Sequence, residues 1–122
     1  EKVQAALNQR RKPVNGSRIH LVGIAYKKNV SDIRESPALD IMALLEKRGA
    51  VLSYTDAYVP RLAREHGWLE SQPIDEAARA DCVVIVTDHG EIDYARLVEL
   101  APLILDTRNV LKATPSEKII RL

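Results

Sequence analysis

The sequence has one cysteine, no phenylalanine and few aromatic residues of any kind (4%). A single cysteine excludes an internal disulfide and fits a reducing compartment. The scarcity of aromatic side chains leaves no base-stacking platform for nucleic acid, and the net charge of +1 creates no field that would attract nucleic acid or an anionic membrane. No apolar run reaches membrane-spanning length, and no signal peptide is visible. We therefore expect a cytoplasmic protein with no nucleic-acid or membrane partner.

The cysteine itself, Cys82, lies in the apolar run CVVIV. A cysteine in a buried strand is usually an inert small hydrophobe, so we do not expect a nucleophile here. The His, Cys, Asp and Glu residues have no convincing metal-ligand spacing, and we predict no metal site. The 122 residues are enough for one domain with its own core. Because the chain begins at Glu1 without an initiator methionine, we expect it to be a fragment of a longer protein.

The most informative stretch is IHLVGIAYKKNVSDIRESP, from Ile19 to Pro37. Its short apolar run, Ile19–Ile24, predicts a strand that is covered on both faces. Ser36 is a good N-cap and proline suits the first helical position, so a helix is predicted from Pro37 to Arg48. A strand end with lysines that faces a helix N-terminus is a suitable place for an anion.

The rest of the pattern predicts an α/β fold, a three-layer, open and mainly parallel Rossmann-like sheet with helices on both faces. Further strands are predicted at Val51–Thr55, Cys82–Val86 and Leu103–Leu105. Helical segments are predicted at Glu1–Arg11, at Pro60–His66 (closed by Gly67, with Trp68 and Leu69 over the sheet edge), at Asp75–Arg79, and from near Glu91 to Pro102. The basic run Arg10-Arg11-Lys12 is interpreted as complementing a helix dipole. The tail, Val110 to Leu122, has one helix-start signal and no assigned role.

Three loops are expected at the carboxyl edge of this sheet, where open α/β sheets bind ligands. They span residues 26–34, 87–89 and 106–109, and they carry Tyr26 and four cations, Lys27, Lys28, Arg34 and Arg108. An arginine can grip a phosphate in a bidentate way, which a lysine cannot. The alternative is that these cations are solvated loop charges, with Arg108 paired to Asp106. The residue pattern alone leaves both interpretations open.

Other residues at the strand exits also have two interpretations. Asp56 follows the second strand, where an acid could hold a ribose, but no glycine-rich dinucleotide turn follows Gly23, so loop capping is favoured. Asp88 and His89 could take part in acid–base chemistry, but capping of the next helix by Thr87 or Asp88 is favoured. Gly23 keeps the exit of the first strand small, so that another backbone or a ligand can come close.

The run GIAYKKNVSDIRESPALDI closely resembles the C-terminal domain of the UDP-glucose/GDP-mannose dehydrogenase family. Members have a Gly-x-Ala-Tyr/Phe-Lys stretch and then Asp-x-Arg-Glu-Ser-Pro, which is far more specific than a lone glycine pattern. The resemblance extends from Val14 to Val110, and its later pieces keep the family's order. These are Gly49, Asp56 to Pro60, Ala80-Asp81 before VVIVTDH, and LILDTRNV. The chain departs from the family at Ala57, where members usually have proline, and in its tail.

The resemblance implies an NAD-dependent enzyme of polysaccharide biosynthesis that oxidises the C6 alcohol of a nucleotide sugar to a carboxylate in two steps. By motif match, Tyr26, Lys27 and Arg108 would contact the nucleotide sugar, with a UDP-sugar favoured over a GDP-sugar. Arg34 would reach the NAD across a domain cleft. Residues 1–13 would end a linker helix from a missing central domain, and residues 14–122 would form the C-terminal nucleotide-sugar-binding domain.

The chain has neither a glycine-rich dinucleotide fingerprint nor the family's catalytic cysteine motif. We therefore expect no catalytic residue and no turnover in this chain alone, NAD bound mainly by a missing N-terminal domain, and a homo-oligomer in the full-length protein. Two other hypotheses rank lower because neither explains the cations at the strand ends. One is a stand-alone regulatory α/β module that uses Asp56 or Asp88 as its working acid. The other is an interaction domain that docks through its sheet edge or its first helix.

Overall fold

The computed structural model describes residues 2–9, 12–25, 32–34, 36–65, 67–114 and 116–121. Within these ranges the chain forms three α-helices, one 3₁₀ helix and seven strands. In chain order they are α1 (Lys2–Gln9), β1 (Arg18–Val22), α2 (Pro37–Lys47), β2 (Val51–Thr55), β3 (Arg61–Arg64), β4 (Gly67–Glu70), the 3₁₀ helix (Ile74–Arg79), β5 (Cys82–Ile85), α3 (Tyr94–Leu100), β6 (Ile104–Asp106) and β7 (Ile119–Arg121). None of the helices described is long and apolar enough to cross a membrane.

Five of the strands form one parallel sheet in the order β2-β1-β5-β6-β7. The chain moves outward from β1 to β2, then crosses to the other side of β1 and continues outward through β5, β6 and β7. The strand order therefore reverses between β1 and β5. In open α/β sheets this reversal leaves a crevice outside the carboxyl ends of the two strands, and ligands bind there. The predicted parallel Rossmann-like sheet is confirmed.

Both faces of the sheet are covered, as the continuous apolar runs predicted. In β5, Cys82 and Val84 pack into the core that α1 and α2 cover, whereas Val83 and Ile85 pack into the core under α3 and the 3₁₀ helix. All four side chains are buried. Because side chains alternate along a strand, a strand covered on both faces reads as an uninterrupted apolar run. The three layers follow from this.

The start of α2 is tied to the end of β1 through one hydroxyl group. Ser36 accepts a hydrogen bond from the backbone N–H of Ala38 (3.2 Å) and donates one to the carbonyl of Ile24 (2.7 Å). Pro37 takes the first helical position, as predicted. This serine therefore caps the helix and also fixes the helix N-terminus beside the strand exit.

Helix α1 packs Val3, Ala6 and Leu7 against the sheet, in the same core as α2. Beyond the helix, the ammonium group of Lys12 pairs with the carboxylate of Asp81 (2.7 Å), which joins the linker to the amino edge of the sheet. Arg10 and Arg11, the other members of the basic run, lie outside the described residues. The proposed division of the chain at residue 13 stays a prediction.

The helix predicted at Pro60–His66 is wrong, because Arg61–Arg64 forms strand β3, which pairs with β4 in a β-hairpin. Leu62 is buried between exposed neighbours, which is the two-residue period of a strand, and it lies opposite Leu69. Trp68 buries little against the sheet edge, since the residue is 60% exposed; the Arg61 guanidinium lies 4.4 Å from its ring centroid. Leu69 does pack against the core.

Two further predictions need correction near the carboxyl half. Helix α3 begins at Tyr94 rather than near Glu91, and its cap is Asp93, whose carboxylate accepts the N–H of Arg96 (3.1 Å). Neither Thr87 nor Asp88 caps it.

The unassigned tail supplies β7, which extends the sheet beyond β6. Its three residues are too few for a periodic pattern to be visible in the sequence.

Candidate functional site

The exits of β1 and β5 are in backbone contact at the crevice where the strand order reverses. Gly23 has a φ of +84°, and a Cβ atom there would lie 2.4 Å from the carbonyl oxygen of Thr87. The hydroxyl of Thr87 donates to the carbonyl of Ala25 (2.7 Å). The expectation that Gly23 permits a close approach is confirmed, and the group that approaches is another backbone.

A single buried carboxylate, that of Asp56, organises the loops around this crevice. Its Oδ2 accepts the backbone N–H groups of Ile24 (2.8 Å) and Ala25 (3.0 Å), and its Oδ1 accepts that of Tyr58 (2.9 Å). The residue has no exposed surface. The predicted loop-capping role of Asp56 is confirmed, and it extends from its own loop to the exit of β1.

His89 supplies a further donor to the same carboxylate, a contact that the sequence analysis missed. Its Nε2 lies 2.8 Å from Oδ2 of Asp56, and both side chains are fully buried. The Tyr58 ring packs on the imidazole at a centroid distance of 4.7 Å, and the Tyr94 hydroxyl donates to the His89 carbonyl (3.1 Å). The only signal in the sequence was a histidine placed just after a buried strand. The pair of Asp56 and His89 therefore joins the loops that follow β1, β2 and β5.

The exit of β6 is built around a second buried carboxylate. Asp106 accepts the backbone N–H groups of Arg108 (3.1 Å), Val110 (3.2 Å) and Leu111 (2.8 Å). The predicted alternative, a pair between the side chains of Arg108 and Asp106, does not occur among the described contacts, since the carboxylate holds the backbone of Arg108. The Nε atom of Arg108 donates instead to the carbonyl of Val86 at the end of β5 (2.8 Å). This hydrogen bond anchors the guanidinium beside the crevice, although Arg108 itself is exposed.

Arg34 lies in the loop before α2, and its described hydrogen bonds are all to Asp32. Its guanidinium contacts both oxygens of Asp32 at 3.2 Å, and its side chain is 87% exposed. The hydrogen bond from Arg34 lowers the pKa of the Asp32 carboxyl. Such exposed pairs are weak, so the guanidinium can exchange partners. Tyr26, Lys27 and Lys28, the other predicted ligand residues, lie outside the described residues, but the last described residue before them, Ala25, is fixed at the crevice.

Two ionisable side chains buried within the sheet, Cys82 and His20, are held in their neutral forms. Burial raises the pKa of the Cys82 thiol to about 12, which agrees with the prediction that it is no nucleophile. Burial also lowers the pKa of His20 to about 4, and its ring nitrogens bond to Ser53 and Thr55 (2.7 Å each). Across the part of the chain that is described, no His, Cys, Asp and Glu residues cluster as metal ligands.

Comparison with known proteins identifies the type of domain. The sequence model of the UDP-glucose/GDP-mannose dehydrogenase family, UDP binding domain, matches residues 20–113. The chain is 33% identical over 105 residues to UDP-glucose 6-dehydrogenase of Rhizobium meliloti, and the match covers 80% of this chain and 24% of that protein. It is 30% identical over 102 residues to UDP-N-acetyl-D-mannosamine dehydrogenase of Methanococcus vannielii, covering 77% and 23%. The chain thus spans about a quarter of the length of these curated relatives.

Solved structures agree with the fold. The UDP-D-ManNAc dehydrogenase from Pyrococcus horikoshii superposes with a TM-score of 0.76 at 25% identity, over 98% of this chain and 28% of that one. An NDP-N-acetyl-D-galactosaminuronic acid dehydrogenase from Methanosarcina mazei superposes with a TM-score of 0.77 at 23% identity, over 97% and 26%. The second likeness concerns the fold alone.

Proposed function

The chain belongs to the UDP-glucose/GDP-mannose dehydrogenase family, in which it corresponds to the UDP binding domain, and from that premise we propose that it binds the nucleotide sugar in an NAD-dependent 6-dehydrogenase. The longer protein oxidises the C6 alcohol of a UDP-sugar to a uronate. Two hydrides leave as two NADH, and water supplies the second carboxylate oxygen. We place this activity in cytoplasmic polysaccharide biosynthesis, carried out by a homo-oligomer.

The observation that carries the proposal is the position of Arg108. Its Nε is held by the carbonyl of Val86, so the guanidinium is fixed at the crevice between β1 and β5 while the residue remains exposed. A planar guanidinium forms paired, charge-assisted hydrogen bonds with phosphate oxygens. Crevices of this topology are where doubly wound sheets hold nucleotides. We assign Arg108 to the diphosphate, and Tyr26 and Lys27 to the same ligand on the strength of the motif.

Arg34 has a different role in the proposal, that of a contact to NAD. Its side chain is largely exposed and is held only by a surface pair with Asp32 among the described residues. Such a pair contributes roughly 0–1 kcal/mol, so a bound phosphate can replace it. NAD itself is bound mainly by a part of the protein outside this chain. The catalytic residues also lie there, and this chain alone has no turnover.

Calorimetric titration of the chain with UDP, and separately with GDP, tests the proposal. We expect UDP to bind more tightly, and we expect Arg108→Ala and Lys27→Ala to weaken UDP binding at least roughly tenfold each, the loss of one charge-assisted contact. Arg48→Ala and Lys47→Ala are matched controls, because these exposed cations end α2 at the opposite edge of the sheet. Equal losses in the controls, or no binding of either nucleotide by the folded chain, would contradict the assignment.

The activity is tested on the longer protein that contains this chain. Incubation with UDP-glucose or a UDP-N-acetylhexosamine and NAD should produce two NADH per uronate formed. Arg34→Ala should raise the KM for NAD more than the KM for the UDP-sugar, and Arg108→Ala should do the reverse. If both variants raised the same KM, the division of roles would be wrong.

A further inference from the structure

We propose that the buried pair of Asp56 and His89 is a positioning device for the nucleotide site. In this inference, which rests on the proposed function, the pair sets the direction in which the chain leaves β1. The pair thereby fixes Ala25, the last described residue before the segment that carries Tyr26 and Lys27. Neither member of the pair touches the ligand, and both act through the backbone of Ile24 and Ala25.

One carboxylate joins the exits of three neighbouring strands of the sheet. Asp56 follows β2, the N–H groups of Ile24 and Ala25 follow β1, and His89 follows β5. An ionised carboxylate has about four acceptor sites and no donor. With the N–H of Tyr58, four described donors surround this carboxylate. The arrangement therefore specifies the relative positions of three loops with a single side chain.

Ala25, the residue before the ligand segment, is held from both sides. The N–H of Ala25 donates to Asp56 (3.0 Å), and its carbonyl accepts the hydroxyl of Thr87 (2.7 Å). Both polar backbone groups of Ala25 are thereby held, which fixes the last described residue before the ligand segment. Neither hydrogen bond is needed to form the sheet, because β1 ends at Val22.

Loss of the His89 imidazole would leave the Asp56 carboxylate without one of its donors. The carboxylate and the imidazole are both fully buried, and a buried charge that loses one of its donors is strongly destabilised. Water or a shift of the loops must then supply the missing donor, and the exit of β1 samples other positions. If only about a tenth of the molecules keep the binding position, the apparent Kd for UDP rises roughly tenfold.

The experiment compares four variants of this chain. His89→Leu removes the donor, and His89→Gln keeps an amide N–H that can reach the same oxygen. Asp56→Asn keeps the shape but turns one oxygen into an NH₂ group, which opposes an N–H donor. Asp81→Asn is the matched control, because the Asp81 carboxylate accepts the N–H of Arg18 (2.8 Å) at the other end of the same strand. If His89→Leu does not fold, Asp56→Asn carries the test.

Two readouts are measured well below the unfolding temperature of every variant. The first is UDP affinity: His89→Leu and Asp56→Asn should bind roughly tenfold more weakly, His89→Gln should recover most of the loss, and Asp81→Asn should change the Kd by less than about threefold. The second is amide hydrogen exchange at Ile24 and Ala25, which should accelerate in His89→Leu and Asp56→Asn but not in Asp81→Asn.

The outcomes separate this inference from the proposed function. Wild-type binding of UDP with unchanged affinity in His89→Leu and Asp56→Asn would overturn the inference and leave the proposed function in place. No wild-type binding would refute the proposed function and the affinity part of the inference with it. In that case unchanged exchange at Ile24 and Ala25 would refute the remaining part, and faster exchange would support it.

Discussion

Substitution of Gly23 by alanine tests the close contact on which the crevice depends. At this position a Cβ atom would lie 2.4 Å from the carbonyl oxygen of Thr87 and 2.9 Å from its nitrogen, distances at which the two backbones must separate. Gly16 is a matched control. Its φ of +81° is almost the same as the +84° of Gly23, but a Cβ atom there meets nothing within 4 Å.

The expected magnitudes follow from this comparison. At both sites alanine is forced into the left-handed region, which costs about 1–2 kcal/mol, and both changes lower the entropy of the unfolded chain, which offsets about 0.4–1 kcal/mol. Because each effect is the same at the two sites, neither contributes to the difference in unfolding free energy between the two variants. Gly23→Ala adds an overpacking cost of about 1–3 kcal/mol, because the group it meets is a backbone rather than the end of a flexible side chain.

Urea and thermal unfolding of the two variants measure the difference. Gly23→Ala should be less stable than Gly16→Ala by about 1–3 kcal/mol, which corresponds to a melting temperature roughly 4–12 °C lower for a domain of this size. Equal unfolding free energies for the two variants would refute the reasoning, since they would mean that the exits of β1 and β5 are not in contact.

Three further predictions concern stability. Burial lowers the pKa of His20 from 6.5 to about 4, so between these pH values the unfolded chain binds a proton that the folded chain does not. The free energy of unfolding should therefore fall by up to about 3 kcal/mol as the pH drops through this window. Urea titrations at several pH values measure this fall, and His20→Gln should make it smaller. Leu62→Ala should cost about 2–5 kcal/mol and Trp68→Ala less than about 1 kcal/mol, because Leu62 is 4% exposed and Trp68 60% exposed; the reverse order in urea unfolding would contradict the hairpin. Lys12→Ala should cost less than about 1 kcal/mol and Asp81→Ala more, because the aspartate also accepts a backbone N–H; equal losses would contradict this.

The first four strands of the sheet and helix α2 were predictable from local pattern. The strand Val51–Thr55 has the predicted bounds, and α2 begins at Pro37 after a serine cap. Apolar runs, caps and tight returns depend on neighbouring residues alone, so the sequence records them directly. The alternation of strands and helices along the chain then predicts a parallel sheet with right-handed connections.

The β-hairpin and the last strand were not predictable because their strands are too short to show a periodic pattern. Strand β3 has one buried side chain, Leu62, between Arg61 and Ala63, which is too little for a period of two to be distinguished from a period of 3.6. In β4 the large apolar residue, Trp68, is exposed. Partners distant in the chain decide such short segments, and strand propensity is a weak guide to them.

The candidate site was predictable in part. One of the four predicted cations, Arg108, lies beside the crevice, whereas Lys27 and Lys28 lie outside the described residues and their placement stays a prediction. The contact between Asp56 and His89 spans 33 residues of sequence, and no spacing rule connects an acid after one strand with a histidine after another. The cap of α3 is Asp93 rather than Thr87 for the same reason. The Thr87 hydroxyl donates instead to the carbonyl of Ala25 after β1, a partner that is distant in the sequence.

The central claim is that UDP binds at the carboxyl edge of the sheet, where β1 and β5 separate. The most direct measurement is an NMR titration of the isotope-labelled chain with UDP, followed at every amide. We expect the shift changes to concentrate at Ile24, Ala25 and Arg108 and in residues 26–34, and we expect Arg108→Ala to abolish them. Shift changes at the amino edge, around Arg48 and Val51, or none anywhere in the folded chain, would contradict it.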